Sequence, residues 1–164
     1  MKWGRSAGVI ALALLLSACG AEFDPLFVEG GSSAPVIGWR ECPGAEPDGI
    51  AEVGLYRWDH DGTVDEPGEL LWRIKAPQGI TTHRIHLGSS PRGFTTLLPL
   101  SVTLDPTTTY ALRTNMTSDD LVSGFLTFQP RQLDAGHLVF GDGKEESRKA
   151  YDDRDDEDFG CFNN

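Results

Sequence analysis

The chain has 164 residues, a formal net charge of −11 and three cysteines. An acidic surface of this kind repels phosphate backbones and anionic lipid headgroups alike, which excludes nucleic acid as a partner. The length suits one domain of ordinary size with a buried hydrophobic core.

The chain opens with a basic and then an apolar segment. Lys2 and Arg5 precede an apolar run over residues 7–16, which is the layout of a secretory signal. This run is too short for a membrane-spanning helix, which needs about 20 apolar residues. We therefore predict a signal peptide over residues 1–18 and export of the remaining chain.

The apolar run ends in the motif Leu16-Ser17-Ala18-Cys19. The motif resembles the lipobox of bacterial lipoproteins, in which small residues precede an invariant cysteine. The resemblance implies that Cys19 becomes the first residue of the mature protein and carries acyl chains such as palmitate. It also implies a lipid-anchored protein on the extracytoplasmic face of a bacterial cell membrane. The alternative is an ordinary signal peptide whose cleavage region happens to contain a cysteine.

Cys42 and Cys161 are the other two cysteines. Disulfides persist in exported proteins, and acylation of Cys19 leaves these two as an even pair. We therefore predict a disulfide bond between them, which would add roughly 4–5 kcal/mol in the chain-entropy model. The alternatives are two unpaired thiols or a pair of metal ligands.

Residues 19–35 are rich in glycine, serine, alanine and proline, and we predict a flexible tether there. Beyond it, short β-like runs alternate with turn residues, and no sustained apolar stripe of helical period occurs. Strands at this spacing indicate an all-β sandwich or barrel. The predicted strands cover residues 36–40, 51–58, 69–75, 83–87, 94–98, 100–104, 108–115, 124–128 and 137–140.

Alternation in residues 69–75 predicts Leu70, Trp72 and Ile74 on the buried face and Leu71 on the opposite face. A helical turn or two is predicted only over residues 144–151, which are mostly polar. Those residues belong to a predicted acidic C-terminal extension over residues 142–164.

Leu104, Pro106 and Tyr110 lie in the segment LDPTTTY. This segment is similar to the tyrosine corner of fibronectin type III domains. The resemblance implies an antiparallel Greek-key sandwich of the fibronectin type III or immunoglobulin-like kind over residues 36–141. It also implies a tyrosine hydroxyl bonded to the backbone near the turn. The alternative is a proline-containing strand connection in another β fold.

Two acidic segments are candidates for cation binding. Residues 59–66 contain four carboxylates, but their order does not match an EF-hand, and we predict a solvated hairpin loop. The densest acidic run covers residues 152–158. It is either a divalent-cation site, with calcium as the ion, or a solvated segment. Its candidate ligands are Asp152, Asp153, Asp155 and Asp156.

The sequence contains no nucleophile elbow and no phosphate-binding glycine loop, and we expect neither catalysis nor a cofactor. We predict a lipid-anchored, non-catalytic β-sandwich that binds a protein partner or takes part in envelope assembly. The loops over residues 59–68 and 116–123 are expected together at one end of the sandwich, as its contact surface. The alternative function is calcium binding by the acidic segments.

Overall fold

The computed structural model describes residues 25–30, 34–41, 49–77, 80–115, 122–141 and 143–155. In these ranges the first five strands are β1 (Leu26–Glu29), β2 (Val36–Trp39), β3 (Glu52–Trp58), β4 (Gly68–Lys75) and β5 (Arg84–His86). The remaining five are β6 (Thr95–Leu98), β7 (Tyr110–Asn115), β8 (Val122–Phe128), β9 (His137–Phe140) and β10 (Lys144–Ser147). A 3₁₀ turn (Pro130–Gln132) follows β8, and helix α1 (Arg148–Asp152) follows β10. None of the described helices has the length and apolar character to cross a bilayer.

The strands form two sheets of five strands each. The order is β10-β9-β1-β2-β5 in the first sheet and β6-β4-β3-β7-β8 in the second. Every strand pair in both sheets is antiparallel. The predicted all-β class is therefore confirmed for the described residues, and the two sheets fit a sandwich.

Each sheet turns one face toward a common hydrophobic core. Because side chains alternate along a strand, Leu26 and Val28 of β1 enter the same buried cluster as Val53 and Leu55 of β3. Burial of one such side chain contributes about 1.5–3 kcal/mol, so this cluster is the main source of stability. It also contains Ile37, Trp39, Ile74, Leu112, Leu126 and Val139.

Strand β4 departs from the predicted alternation. The register against β3 shifts so that Leu55 pairs with Trp72 and Tyr56 pairs with Leu70. Leu71 is the extra residue, and it enters the core beside Trp72 with 7% exposure. The predicted solvent-facing position of Leu71 is therefore wrong, because a β-bulge changes which residues point inward.

Strand β1 lies within residues 19–35, where the sequence predicts a flexible tether. It pairs with β2 on one side and β9 on the other, and Leu26 and Val28 have no exposed surface. The predicted domain boundary at residue 36 is therefore wrong, since residues 25–30 belong to the fold. The short apolar run is concealed by its glycine-rich and serine-rich surroundings.

The predicted boundary at residue 141 also fails. Strand β10 pairs with β9, and α1 places Tyr151 against Phe27 and Phe140 on the outer face of the first sheet. Tyr151 is 1% exposed. Residues 144–152 are therefore part of the packed fold rather than an extension from it, and only the second half of the predicted helical stretch is helical.

Two further expectations are corrected by the backbone. Residues 100–104 form no strand, although Leu100 and Leu104 pack on the core. In the antiparallel pair of β3 and β7, Arg57 lies opposite Tyr110 and Glu52 lies opposite Asn115. Trp58 and Asn115, the last residues of β3 and β7, therefore lie at opposite ends of the sheet, although the two loops that follow them are expected together at one end.

Candidate functional site

Tyr110 begins β7 and is 3% exposed. Its hydroxyl accepts a hydrogen bond from the backbone N–H of Asp105 at 2.9 Å. The Asp105 carboxylate in turn accepts from the hydroxyl and the N–H of Thr107, both at 2.7 Å, and from the N–H of Thr108 at 3.1 Å. The Thr107 bonds hold the pKa of Asp105 below its usual value. This bonded tyrosine is the contact that a tyrosine corner implies.

The other residues of the motif support the same turn. Leu104 packs on the core. The carbonyl of the exposed Pro106 accepts from the N–H of Arg131 at 3.1 Å, which ties the turn to the chain after β8. The corner is therefore a structural feature of the fold.

A cleft of about 380 Å³ lies on the outer face of the first sheet, beside α1. Phe27 and Tyr151 form its apolar floor, and Arg40, Arg84 and Arg148 lie along its walls. Guanidinium groups next to aromatic rings gain cation–π attraction, and the Arg148 guanidinium lies 5.2 Å from the Phe27 ring centre. Glu41 and Asp152 line the same cleft, which therefore combines aromatic side chains with walls that carry both signs of charge.

The cationic groups of this cleft are engaged within the fold. Arg148 bonds Glu29 at 2.8 Å and Asp152 at 2.9 Å, and these bonds, Asp152 first, raise its pKa. Arg84 pairs with the same Glu29. Arg40 donates to the carbonyls of Tyr151 and Arg154, at 3.2 Å and 3.3 Å. These contacts hold α1 against the first sheet. We therefore interpret the cleft as the packing site of the helix.

The predicted cation ligands do not gather in the structure. Asp152 forms an ion pair with Arg148, and Asp153 forms one with Lys149. Asp155 is exposed, and Asp156 lies outside the described residues. Within the described ranges, no group of three His, Cys, Asp or Glu side chains could hold a metal ion. The calcium site remains a prediction.

A second pocket, of about 100 Å³, lies on the outer face of the second sheet. Gly54 of β3 is at its centre, with Arg73 of β4 and Arg113 of β7 directly opposite on the two sides. Tyr56 and Asn115 also line it. We name this the Gly54 pocket. The sequence does not reveal it, because its residues come from three strands whose register is unknown before the fold.

Glu52 is the acidic residue of the Gly54 pocket, and it is 7% exposed. Arg73 donates to its carboxylate at 2.6 Å, and Lys75 lies 2.8 Å from the other oxygen. Burial raises the pKa of Glu52, but the bonds from Lys75 and Arg73 outweigh it and lower the pKa overall. The carboxylate is therefore held as an anion.

An aromatic pair adjoins this pocket. The rings of Trp58 and Phe125 have centroids 5.6 Å apart, and both side chains are half-buried. Alternation along β3 and β8 places them on the solvent face, since Leu55 and Leu126 enter the core. Aromatic side chains of this kind are enriched in protein interfaces.

The predicted lipidation and disulfide residues, Cys19, Cys42 and Cys161, lie outside the described residues. No protein-family model matches the chain, and no match is found among the curated proteins or among the solved structures.

Proposed function

We propose that this chain is a lipid-anchored lipoprotein that presents a non-catalytic β-sandwich outside a bacterial cell membrane, where it binds a protein partner or assists envelope assembly. The lipobox-like motif ending at Cys19 supports the anchor. The two-sheet arrangement with a common core supports display of a rigid domain.

The sandwich is further proposed to be a Greek-key domain of the fibronectin type III or immunoglobulin-like kind. In immunoglobulin-like domains, strands A, B and E share one sheet and strands C, F and G share the other. The orders β1-β2-β5 and β3-β7-β8 agree with that division if these strands are taken as A, B, E and C, F, G. The bonded Tyr110 at the start of β7, in the place of strand F, adds support. In this comparison β4, β6, β9 and β10 are additions.

The observation that carries the protein-binding part is the half-exposed pair of Trp58 and Phe125. Large aromatic side chains supply much of the binding energy of protein interfaces when a partner removes them from water. The outer face of the second sheet is therefore the proposed contact surface.

The corrected domain boundary changes the expected geometry at the membrane. Strand β1 begins at Leu26, so six residues lie between it and Cys19 and the chain takes seven residue steps from one to the other. An extended chain of that length spans at most about 25 Å. The lipoprotein would therefore hold its sandwich close to the bilayer rather than on a long spacer.

Photo-crosslinking in intact cells tests the proposal. A photoreactive amino acid at Phe125 is expected to yield a discrete crosslinked species. The same group at Arg92, an exposed turn residue, serves as the matched control and should not. Recovery of the lipoprotein alone from both positions, under several growth conditions, would argue against the proposed surface.

A further inference from the structure

The Gly54 pocket carries an excess of positive charge on an acidic protein. Arg73 and Arg113 line the pocket, and among the described residues Glu52 is the one carboxylate that lines it. The chain as a whole has a net charge of −11. A local reversal of sign favours an anionic ligand at this place over the rest of the surface.

Arg113 is the cation of the pocket that pairs with no carboxylate in the described part of the chain. Its Nη1 donates to the backbone carbonyl of Asp65 at 3.3 Å, and no described acidic side chain forms an ion pair with it. Arg73, in contrast, is engaged by Glu52. A guanidinium has five N–H donors in a planar fork, so one carbonyl bond leaves most of them for a ligand.

The neighbouring Tyr56 hydroxyl and Asn115 amide can each donate a hydrogen bond. A Cβ at Gly54 would lie 2.9 Å from Cε2 and 3.0 Å from the hydroxyl oxygen of Tyr56, so the Tyr56 ring lies over the glycine. Its hydroxyl therefore points into the space between Arg73 and Arg113. The Asn115 amide lines the same space. Such a set of donors suits a ligand that only accepts hydrogen bonds.

We propose that the Gly54 pocket binds one oxyanion, a carboxylate or a phosphate group, with Arg113 as its main contact. Guanidinium forks match the geometry of both groups. A space of about 100 Å³ holds one such group, and the body attached to it would lie on the aromatic pair. Phe125 is the direct neighbour of Arg113 across β7 and β8. The inference depends on neither the lipid anchor nor the protein partner.

Titration of the full chain, followed by NMR of backbone amides, tests this site with three probes that share one ring. Phenylacetate carries a carboxylate, phenyl phosphate carries a phosphate, and phenylacetamide is neutral. We expect saturable shifts at Gly54 and Arg113 with at least one anionic probe and none with the amide. Saturation by only one anion would identify which oxyanion the pocket takes.

Variants separate a specific site from general charge. Arg113→Gln should weaken binding about ten-fold, as expected for the loss of a charged fork. Arg92→Gln removes an equal charge from an exposed turn and should leave binding unchanged. If Arg113→Gln unfolds, Tyr56→Phe provides a second test, with a several-fold loss expected. The inference is overturned if no anion saturates, if phenylacetamide binds equally well, or if neither pocket variant differs from Arg92→Gln.

Discussion

Tyr110 shows how one buried polar atom can stabilise a turn. Its ring lies in the core cluster, while its hydroxyl reaches the N–H of Asp105 on the approach to β7. The Tyr110 side chain is buried, and a hydrogen bond of this kind contributes about 0.5–1.5 kcal/mol net. The hydroxyl therefore stabilises the turn by satisfying a backbone group as well as by packing.

Tyr110→Phe should lower the free energy of unfolding by about 1 kcal/mol, because it removes one hydrogen bond and leaves an N–H unpaired. Urea denaturation at neutral pH measures the change. Tyr56→Phe is the matched control, since the Tyr56 hydroxyl makes no hydrogen bond within the described ranges. Its expected change is below about 0.5 kcal/mol. Equal losses in the two variants would contradict the role given to the Tyr110 hydroxyl.

The Glu52 carboxylate links stability to pH. Its pKa in the folded chain is below the reference value of 4.5. A group with a depressed folded pKa contributes stability above its unfolded pKa, and this contribution is lost as the pH falls through the folded pKa. The ion pairs of Glu52 should therefore stabilise the fold at neutral pH and weaken in acid.

Glu52→Gln should lower the free energy of unfolding by about 1–2 kcal/mol at pH 7. The loss is smaller than for a fully buried ion pair because the Arg73 and Lys75 side chains are half-exposed. The difference from the parent chain should shrink as the pH is lowered below about 4.5. Urea denaturation at several pH values measures it. Glu145→Gln, on the exposed side of β10, is the control. If the difference in the free energy of unfolding stays constant down to pH 3, the ion pairs of Glu52 do not have this pH-dependent role.

At the scale of elements, β1 organises the first sheet. It is the central strand, with β2 and β9 on its two sides. Its successive side chains point alternately to the two faces of the sheet. Leu26 and Val28 enter the main core, while Phe27 packs under Tyr151 on the outer face. Removal of β1 would therefore split the sheet into the pairs β10-β9 and β2-β5 and disrupt both clusters.

A chain that begins at residue 20 should unfold cooperatively, whereas one that begins at residue 36 should not fold. The shorter chain loses three buried side chains, worth about 5 kcal/mol or more, which is comparable to the whole stability of a domain. Circular dichroism during heating distinguishes the two. A cooperative transition in the chain from residue 36 would support a domain that begins at residue 36 and would contradict the role given to β1.

The strands that could be predicted are short runs rich in apolar residues with turn residues on both sides. Predicted bounds for β2, β3 and β9 lie within one residue of the structure, because each apolar run is bordered by loop-forming residues. Strand β1 could not be found in this way, since its apolar run has only three residues, Leu26 to Val28, and lies in a stretch rich in glycine and serine. Inward rotation of Leu71 and the make-up of the Gly54 pocket depend on strand register, which a single sequence does not contain.

At the scale of the whole molecule, the N-terminal and C-terminal parts of the chain meet. Arg40 follows β2 and bonds the carbonyls of Tyr151 and Arg154 near the end of α1. Cys42 is two residues beyond Arg40, and Cys161 is seven residues beyond Arg154. Seven residues can extend up to about 25 Å, so this meeting supports the proposed disulfide.

Thiol titration of the unfolded Cys19→Ser chain tests the disulfide. No reactive thiol is expected before reduction and two are expected after it, because Cys42 and Cys161 would be bonded. Cys42→Ser should then expose one free thiol and lower the free energy of unfolding by about 2–4 kcal/mol. Two reactive thiols in the unreduced chain, purified from an oxidising compartment, would exclude the bond.

The proposed display of the sandwich at a membrane surface depends on acylation of Cys19. The most direct test is mass spectrometry of the N-terminal peptide from the mature protein, isolated from the membrane fraction of the native bacterium. We expect a peptide that begins at Cys19 and carries a diacylglyceryl group on its sulfur. A mature chain that begins at another residue, or that has Cys19 with an unmodified thiol, would contradict it.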